Sequence, residues 1–274
     1  MSTAATPVMR NQVENALALR SAGLLQEALD VLSTPGEYIA DFYMLRGEIQ
    51  LALGRFQEAA GSYFTVATAE PQNAFAQYNL AVCLHRLGRW AEASQAFQKV
   101  LDVDPHRDDA RLGLGACLLY LDRAEGALSN FDNCWSDAAR TKAIFGKAVA
   151  LQLLRRFEEA EATYDRLLAS EPTSEEALSN LVVLSIDAGD HESARRRALR
   201  LLEISPNSTV ALQCLAALAL ERREYEAAVR YCGRIVERAP ECMEAWHNLR
   251  FASGRVMSGL SAPDTSIGPA LGRK

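Results

Sequence analysis

Proline and alanine recur in one register along most of this 274-residue chain, and that recurrence limits its possible folds more than its composition does. Pro71 and Pro105 are 34 residues apart, Pro105 and Pro172 are 67 apart, and Pro206 and Pro240 follow at 34 each. Ala59, Ala93, Ala127, Ala160, Ala194 and Ala228 keep the same step, with one interval of 33. Such a period marks stacked supersecondary units, none of which can bury its apolar face alone. The one or two globular cores that length alone would suggest are therefore not expected.

Each period reads as two amphipathic helices joined by a short turn. Between Ala74 and Leu87, apolar residues fall at Leu80, Ala81, Leu84 and Leu87, the spacing of one helical face. Gly88 ends that helix, because glycine adopts left-handed dihedrals without steric cost. From Trp90 to Val103 the pattern returns with Ala93, Phe97, Val100 and Leu101, and Asp104-Pro105 stops it. No run of alternating β-branched residues competes, so the chain is predicted to be all-α.

These units resemble the tetratricopeptide repeat. Tyr43, Gly47, Gly54, Phe56, Ala59, Tyr63 and Pro71 carry the pattern in one unit, and Leu80, Ala81, Gly88, Trp90, Ala93, Phe97 and Pro105 in the next. Leu114, Gly115, Ala127 and Phe131 follow, then Ala148, Phe157, Ala160, Tyr164 and Pro172. Leu181, Gly189, Ala194 and Pro206 come next, and finally Leu215, Ala216, Tyr225, Ala228 and Pro240. The resemblance implies a right-handed helical solenoid in which Gly or Ala sits where paired helices cross and an aromatic ring fills the space between repeats. Seven units are expected, at 9–39, 40–73, 74–107, 108–140, 141–174, 175–208 and 209–242. The first is cut short by Ser33-Thr34-Pro35-Gly36. An N-terminal extension (1–8), a capping helix (243–258) and a disordered tail (259–274) complete the chain. The unit 108–140 lacks the proline. Either Trp135 packs the junction as a local repair or the superhelix changes curvature there.

Little in the sequence suggests catalysis, so no enzyme and no cofactor is expected. Gly113-Leu114-Gly115 lies inside a helical pattern and follows no strand, unlike a phosphate-binding loop. The four histidines (His85, His106, His191, His247) form no metal pair at helical spacing, and Cys242 with His247 lacks further ligands. The six cysteines form no CxxC and are read as small hydrophobes. Asp108-Asp109 and Glu175-Glu176 stand at helix starts, where they offset the helix dipole. A net charge of −6 argues against nucleic acid as the main partner. Apolar runs are too short for a membrane span, and Met1 to Arg10 lacks the order of a secretory signal. A cytoplasmic, bacterial protein is expected, the second point resting on arginine outnumbering lysine as in GC-rich genomes.

Function is expected on the surface. In tetratricopeptide repeat proteins the first helix of each unit lines a concave groove. By register that face holds Phe75, Tyr78, Asn79, Val82 and His85; Asp109, Leu112, Ala116, Leu119 and Tyr120; Lys142, Phe145, Val149, Gln152 and Leu153; and Glu176, Ser179, Asn180, Val183, Ile186 and Asp187. The packing slots are already taken by Leu80, Leu84, Leu114, Leu118, Leu151 and Leu181, so the apolar groove residues read as an exposed interaction patch. The lysines of the carboxylate clamp found in some members are absent, Val13, Met44, Tyr78, Leu112, Phe145 and Ser179 standing in their slots. Asn79, Asn180 and Asn248 occupy a slot that can hold a peptide backbone, a series broken by Gly113, Gly146 and Cys214; a helix-to-helix hydrogen bond is the other reading. Arg195, Arg196, Arg197 and Arg200 fall on a second helix, the convex side, either as a solvated face or as a patch for an acidic partner. The chain is thus expected to be a scaffold, adaptor or chaperone-like module that takes a partly apolar peptide or helix into its groove. The alternative is a self-associating assembly scaffold using its convex face or its terminal segments.

Overall fold

The computed structural model describes residues 7–33 and 40–259. Among them are fifteen helices and no strand. In chain order they are α1 (Pro7–Ser21), α2 (Leu25–Val31), α3 (Ala40–Ala52), α4 (Phe56–Ala69), α5 (Ala74–Arg86), α6 (Trp90–Val103), α7 (Asp108–Tyr120) and α8 (Ala124–Asp132). Then come α9 (Asp137–Leu153), α10 (Phe157–Ser170), α11 (Glu175–Asp187), α12 (His191–Ile204), α13 (Thr209–Glu221), α14 (Tyr225–Arg238) and α15 (Met243–Met257). The chain divides into two compact units, Met1–Ala150 and Leu151–Lys274. The expected N-terminal extension, the Thr34–Gly36 break and the tail beyond Gly259 fall wholly or mostly outside the described residues.

Within each unit consecutive helices pack on one another, from α1 to α8 and from α10 to α15, as in a helical solenoid. First helices also touch the following first helix, α1 on α3, α5 on α7, α11 on α13 and α13 on α15, and no two second helices pack comparably among the described residues. The odd-numbered helices therefore form the more closely spaced, inner layer of each unit.

The small-residue slots explain why the helices approach so closely. A Cβ on Gly47 would meet the Tyr63 ring at 2.8 Å, and one on Gly115 would meet Phe131 at 2.6 Å. Rings of second helices also pack toward the next pair: a Cβ on Gly146 would lie 2.5 Å from Phe131, and one on Gly113 would lie 2.4 Å from Phe97. Tyr63 and Tyr164 are fully buried in the same role. The turn inside each pair needs one left-handed residue. Gly23, Gly54, Gly88 and Gly189 supply it, and Asp122, Arg155 and Arg223 adopt positive φ at the same slot despite a cost of about 1–2 kcal/mol for a residue with a Cβ. Asn73, Ser174, Asp190 and Ser208 each cap the following helix by accepting a backbone N–H.

The junction without a proline differs from expectation. Trp135 is 70% exposed and packs no junction. Asp108, buried at the start of α7, does the work instead: its carboxylate accepts the Trp135 N–H at 2.9 Å and the Ser136 N–H at 2.6 Å. Burial alone would raise its pKa, but the amide hydrogen bonds, with Arg111 nearby, hold it below the usual carboxylate value. The following helix begins at Asp137, so the boundary drawn at 140/141 falls inside α9.

Candidate functional site

The inner layer carries the groove residues read from the sequence, and none of them is fully buried. From Phe75 to Val149 they lie in the first unit, on α5, α7 and α9. Gln152, Leu153, Ser179, Asn180, Val183 and Ile186 lie in the second, on the end of α9 and on α11.

In the first unit the aromatic residues are held in place by one another. Tyr120, 57% exposed, stacks on Trp90 with centroids 4.6 Å apart and 8° between the planes, and meets His85 edge-on at 5.8 Å. Burial, with Arg86 adding to it, lowers the His85 pKa and so favours the neutral imidazole. Tyr78 packs edge-on against Phe97, and the Arg107 guanidinium lies 4.4 Å from its ring centroid. Its hydroxyl bonds to Asp109, which also pairs with Arg107 at 2.9 Å. Burial and then the Asp109 carboxylate push the Tyr78 pKa up.

Core packing explains more of this face than register suggested. Tyr78 and Val82 pack against the buried cluster around Leu80 and Phe97, and Leu112 and Leu119 against the one around Phe131. Side chains near the middle of an inner helix wedge between its neighbours, so facing the groove does not mean standing in it. The large apolar residues of the proposed face that remain exposed are Phe75 and Tyr120 in the first unit and Leu153, Val183 and Ile186 in the second. The asparagine slot divides as well. Asn180 lies beside the buried Tyr164 hydroxyl on the neighbouring helix, in keeping with the helix-to-helix reading. Gly113 and Gly146 hold the same slot because the Phe97 and Phe131 rings fill it.

The second unit holds a cleft of about 320 Å³ between α11, α13 and α15. Val183 and Ile186 line it together with Val210, Gln213, Ala217, Glu244 and Asn248. Sequence reasoning stopped its groove at α11 and missed Val210, Gln213, Ala217 and Glu244, although the register signal that identified Val183 continues unbroken into α13. A cleft of about 410 Å³ in the first unit opens between α4, α5 and α6, floored by Leu80 and Leu84 and rimmed by Phe64 and Lys99. Its rim charges Arg89 and Glu92 neutralise each other.

The arginine run is less free than a solvated patch. The Arg197 side chain, 17% exposed, donates to the Leu181 carbonyl and the Ser185 hydroxyl on α11 and pairs with Glu161 on α10. Arg200 donates to the Pro172 carbonyl at 3.0 Å, and Arg196 to Ser193. Arg234 repeats the Arg200 bond one period later, to Pro206. All six cysteines are free thiols; burial raises the pKa of Cys83, Cys214 and Cys232 to about 11 and of Cys117 to about 12. Among the described residues no group of three or more His, Cys, Asp or Glu could hold a metal, and no helix is long and apolar enough to cross a membrane.

The family profile of the tetratricopeptide repeat matches residues 14–74, 46–105 and 86–132, and that of the coatomer epsilon subunit matches residues 123–219. No curated protein sequence matches the chain. Among solved structures, a tetratricopeptide repeat protein from Parabacteroides merdae is similar with a TM-score of 0.68 at 18% identity, over 90% of this chain and 99% of its own. The type IV pilus biogenesis factor PilW is similar at 0.66 and 18% identity, over 80% and 100%. YrrB, described as a repeat protein with an unusual peptide-binding site, is similar at 0.56 and 19% identity, over 69% and 96%.

Proposed function

Because the chain is a tetratricopeptide repeat protein, we propose that it is a non-enzymatic binding scaffold whose inner face in the first unit receives a partly apolar peptide or helix. The observation that carries this reading is Tyr120, more than half exposed yet fixed by Trp90 and His85. A rigid exposed aromatic gives up little conformational entropy on binding and is the residue type that dominates interface energetics. Phe75 adds exposed apolar area on the neighbouring α5. YrrB, similar in fold, is a peptide binder by its description, which is consistent with this use of the scaffold. The test is affinity capture from the source organism with the full chain as bait, comparing wild type with Phe75→Ala/Tyr120→Ala. The variant should stay folded, losing at most the roughly 0.5–1.5 kcal/mol of the Tyr120–Trp90 stack, and lose a defined set of partners. An unchanged set, captured in unchanged amounts, refutes the reading.

Self-association is the second reading, and α15 favours it. Met243, Trp246 and Met257 are exposed along that helix, where the outer face of a terminal cap is ordinarily polar. Light scattering across a concentration series decides: the mass of one chain at every concentration excludes it.

A further inference from the structure

From α11 to α14 the helical arginines lie on the even-numbered helices, beside Glu192, Glu203, Glu226 and Glu237. α12 carries Arg195, Arg196, Arg197 and Arg200, and α14 carries Arg230, Arg234 and Arg238. The inner helices α11 and α13 carry no lysine or arginine. Their exposed acidic groups include Glu176 and Asp187, which have no ion-pair partner among the described residues. Glu221 is engaged by His191 at 3.0 Å. On α15, Glu244 is the one ionised side chain lining the cleft and is likewise unpaired, while Arg250 and Arg255 do not line it.

The cleft floor is apolar: Val183, Ile186, Val210 and Ala217, with the buried Cys214 and Cys232 beneath. Its volume of about 320 Å³ is at the small end of ligand clefts, which run from roughly 300 to 1,000 Å³. That is room for one or two aliphatic side chains. Around this floor stand Gln213, Glu244 and Asn248, with no internal hydrogen bond among the described residues. The two amides can each donate to and accept from an extended backbone, and Glu244 can accept from a cation.

We propose that the cleft between α11, α13 and α15 is a second binding site, for a short extended segment whose aliphatic side chains are flanked by lysine or arginine. An aliphatic side chain enters the floor, Gln213 and Asn248 take the adjacent peptide groups, and the flanking cation meets Glu244. An acidic segment is rejected by Glu244, and by Glu176 and Asp187 at either end of α11. This site does not depend on the first unit's face, because every lining residue lies beyond Leu151.

The experiment uses the full chain and two fluorescein-labelled probes, Lys-Leu-Ile-Leu-Lys and Glu-Leu-Ile-Leu-Glu, read by anisotropy. The lysine peptide should bind at least about tenfold tighter than the glutamate peptide, which corresponds to about 1.4 kcal/mol, and should weaken as salt is added. Glu244→Lys should weaken the lysine peptide by about tenfold or more, and Ala217→Trp, which fills the floor, should abolish its binding. Phe75→Ala/Tyr120→Ala should leave it unchanged, so failure here and failure of the first-unit face are separately visible. Equal binding of the two peptides, no binding of the lysine peptide, or insensitivity to Glu244→Lys overturns the proposal. If Ala217→Trp does not fold, the exposed Glu244 substitution decides alone.

Discussion

Replacing glycine by alanine inside a helix should move stability in opposite directions at Gly61 and Gly113. Both lie within helices, where alanine is favoured by about 0.5–1 kcal/mol on backbone entropy. At Gly61 on α4, a Cβ would meet no heavy atom within 4 Å, so the propensity gain stands and the variant should be about 0.5–1 kcal/mol more stable. At Gly113 on α7, the Cβ would lie 2.4, 2.6 and 2.7 Å from Cζ, Cε1 and Cε2 of Phe97. Carbon contacts are favourable at about 3.5–4.0 Å, so something must move by about 1 Å. Phe97 cannot readily withdraw, being 3% exposed and braced edge-on by Tyr78. Overpacking of this kind costs about 1–3 kcal/mol, and the severity of the contact argues for the upper end. The net effect of Gly113→Ala is a loss of about 2 kcal/mol. Urea unfolding gives the comparison, with hydrogen exchange over α6 and α7 as the local readout because stacked repeats need not unfold in one step. Phe97→Leu combined with Gly113→Ala should cost less than the sum of the two single changes. A rise in stability for Gly113→Ala, or additive single changes, would refute the packing argument.

Two further expectations follow from buried polar groups. The Tyr63 hydroxyl is buried without a hydrogen-bond partner; in thermal melts Tyr63→Phe should be neutral or stabilising by up to about 1 kcal/mol, and a clear loss of stability would contradict this. Because the Asp108 pKa is depressed in the folded chain, its contribution is present above the ordinary carboxylate pKa and lost as pH falls through the folded value. Asp108→Ala should therefore cost about 2 kcal/mol at neutral pH and progressively less in acid, and a pH-independent loss would remove the carboxylate from the explanation.

The helices and their turns were readable because each depends on a residue that is costly to replace: a small residue at a helix crossing, a left-handed residue between paired helices, a proline after the second. Where the structure departs from the sequence reading, a second residue far along the chain decides the outcome. Trp135 looked like a filler because it is large, but Asp108, 27 residues earlier, satisfies the junction amides and leaves the indole outside. Leu112 and Leu119 looked exposed because register fixes direction, whereas depth is fixed by Phe131 and its neighbours. Arg197 looked like part of a patch until Ser185 and Glu161, on two other helices, claimed it.

The absence of lysine and arginine from α11 and α13 was also present in the sequence, hidden by averaging. A net charge of −6 describes the whole chain, but a partner within contact distance responds to the charges nearest to it. At physiological ionic strength the screening length is about 8 Å, slightly less than the roughly 10–12 Å diameter of one helix with its side chains. The seven arginines of α12 and α14, which share those helices with Glu192, Glu203, Glu226 and Glu237, therefore do little to cancel Glu176, Asp187 and Glu244 across the layer of inner helices. The two faces of this unit act as separate electrostatic surfaces, and substitutions on α12 or α14 should leave the charge preference of the α11–α13–α15 cleft unchanged while Glu244→Lys alters it.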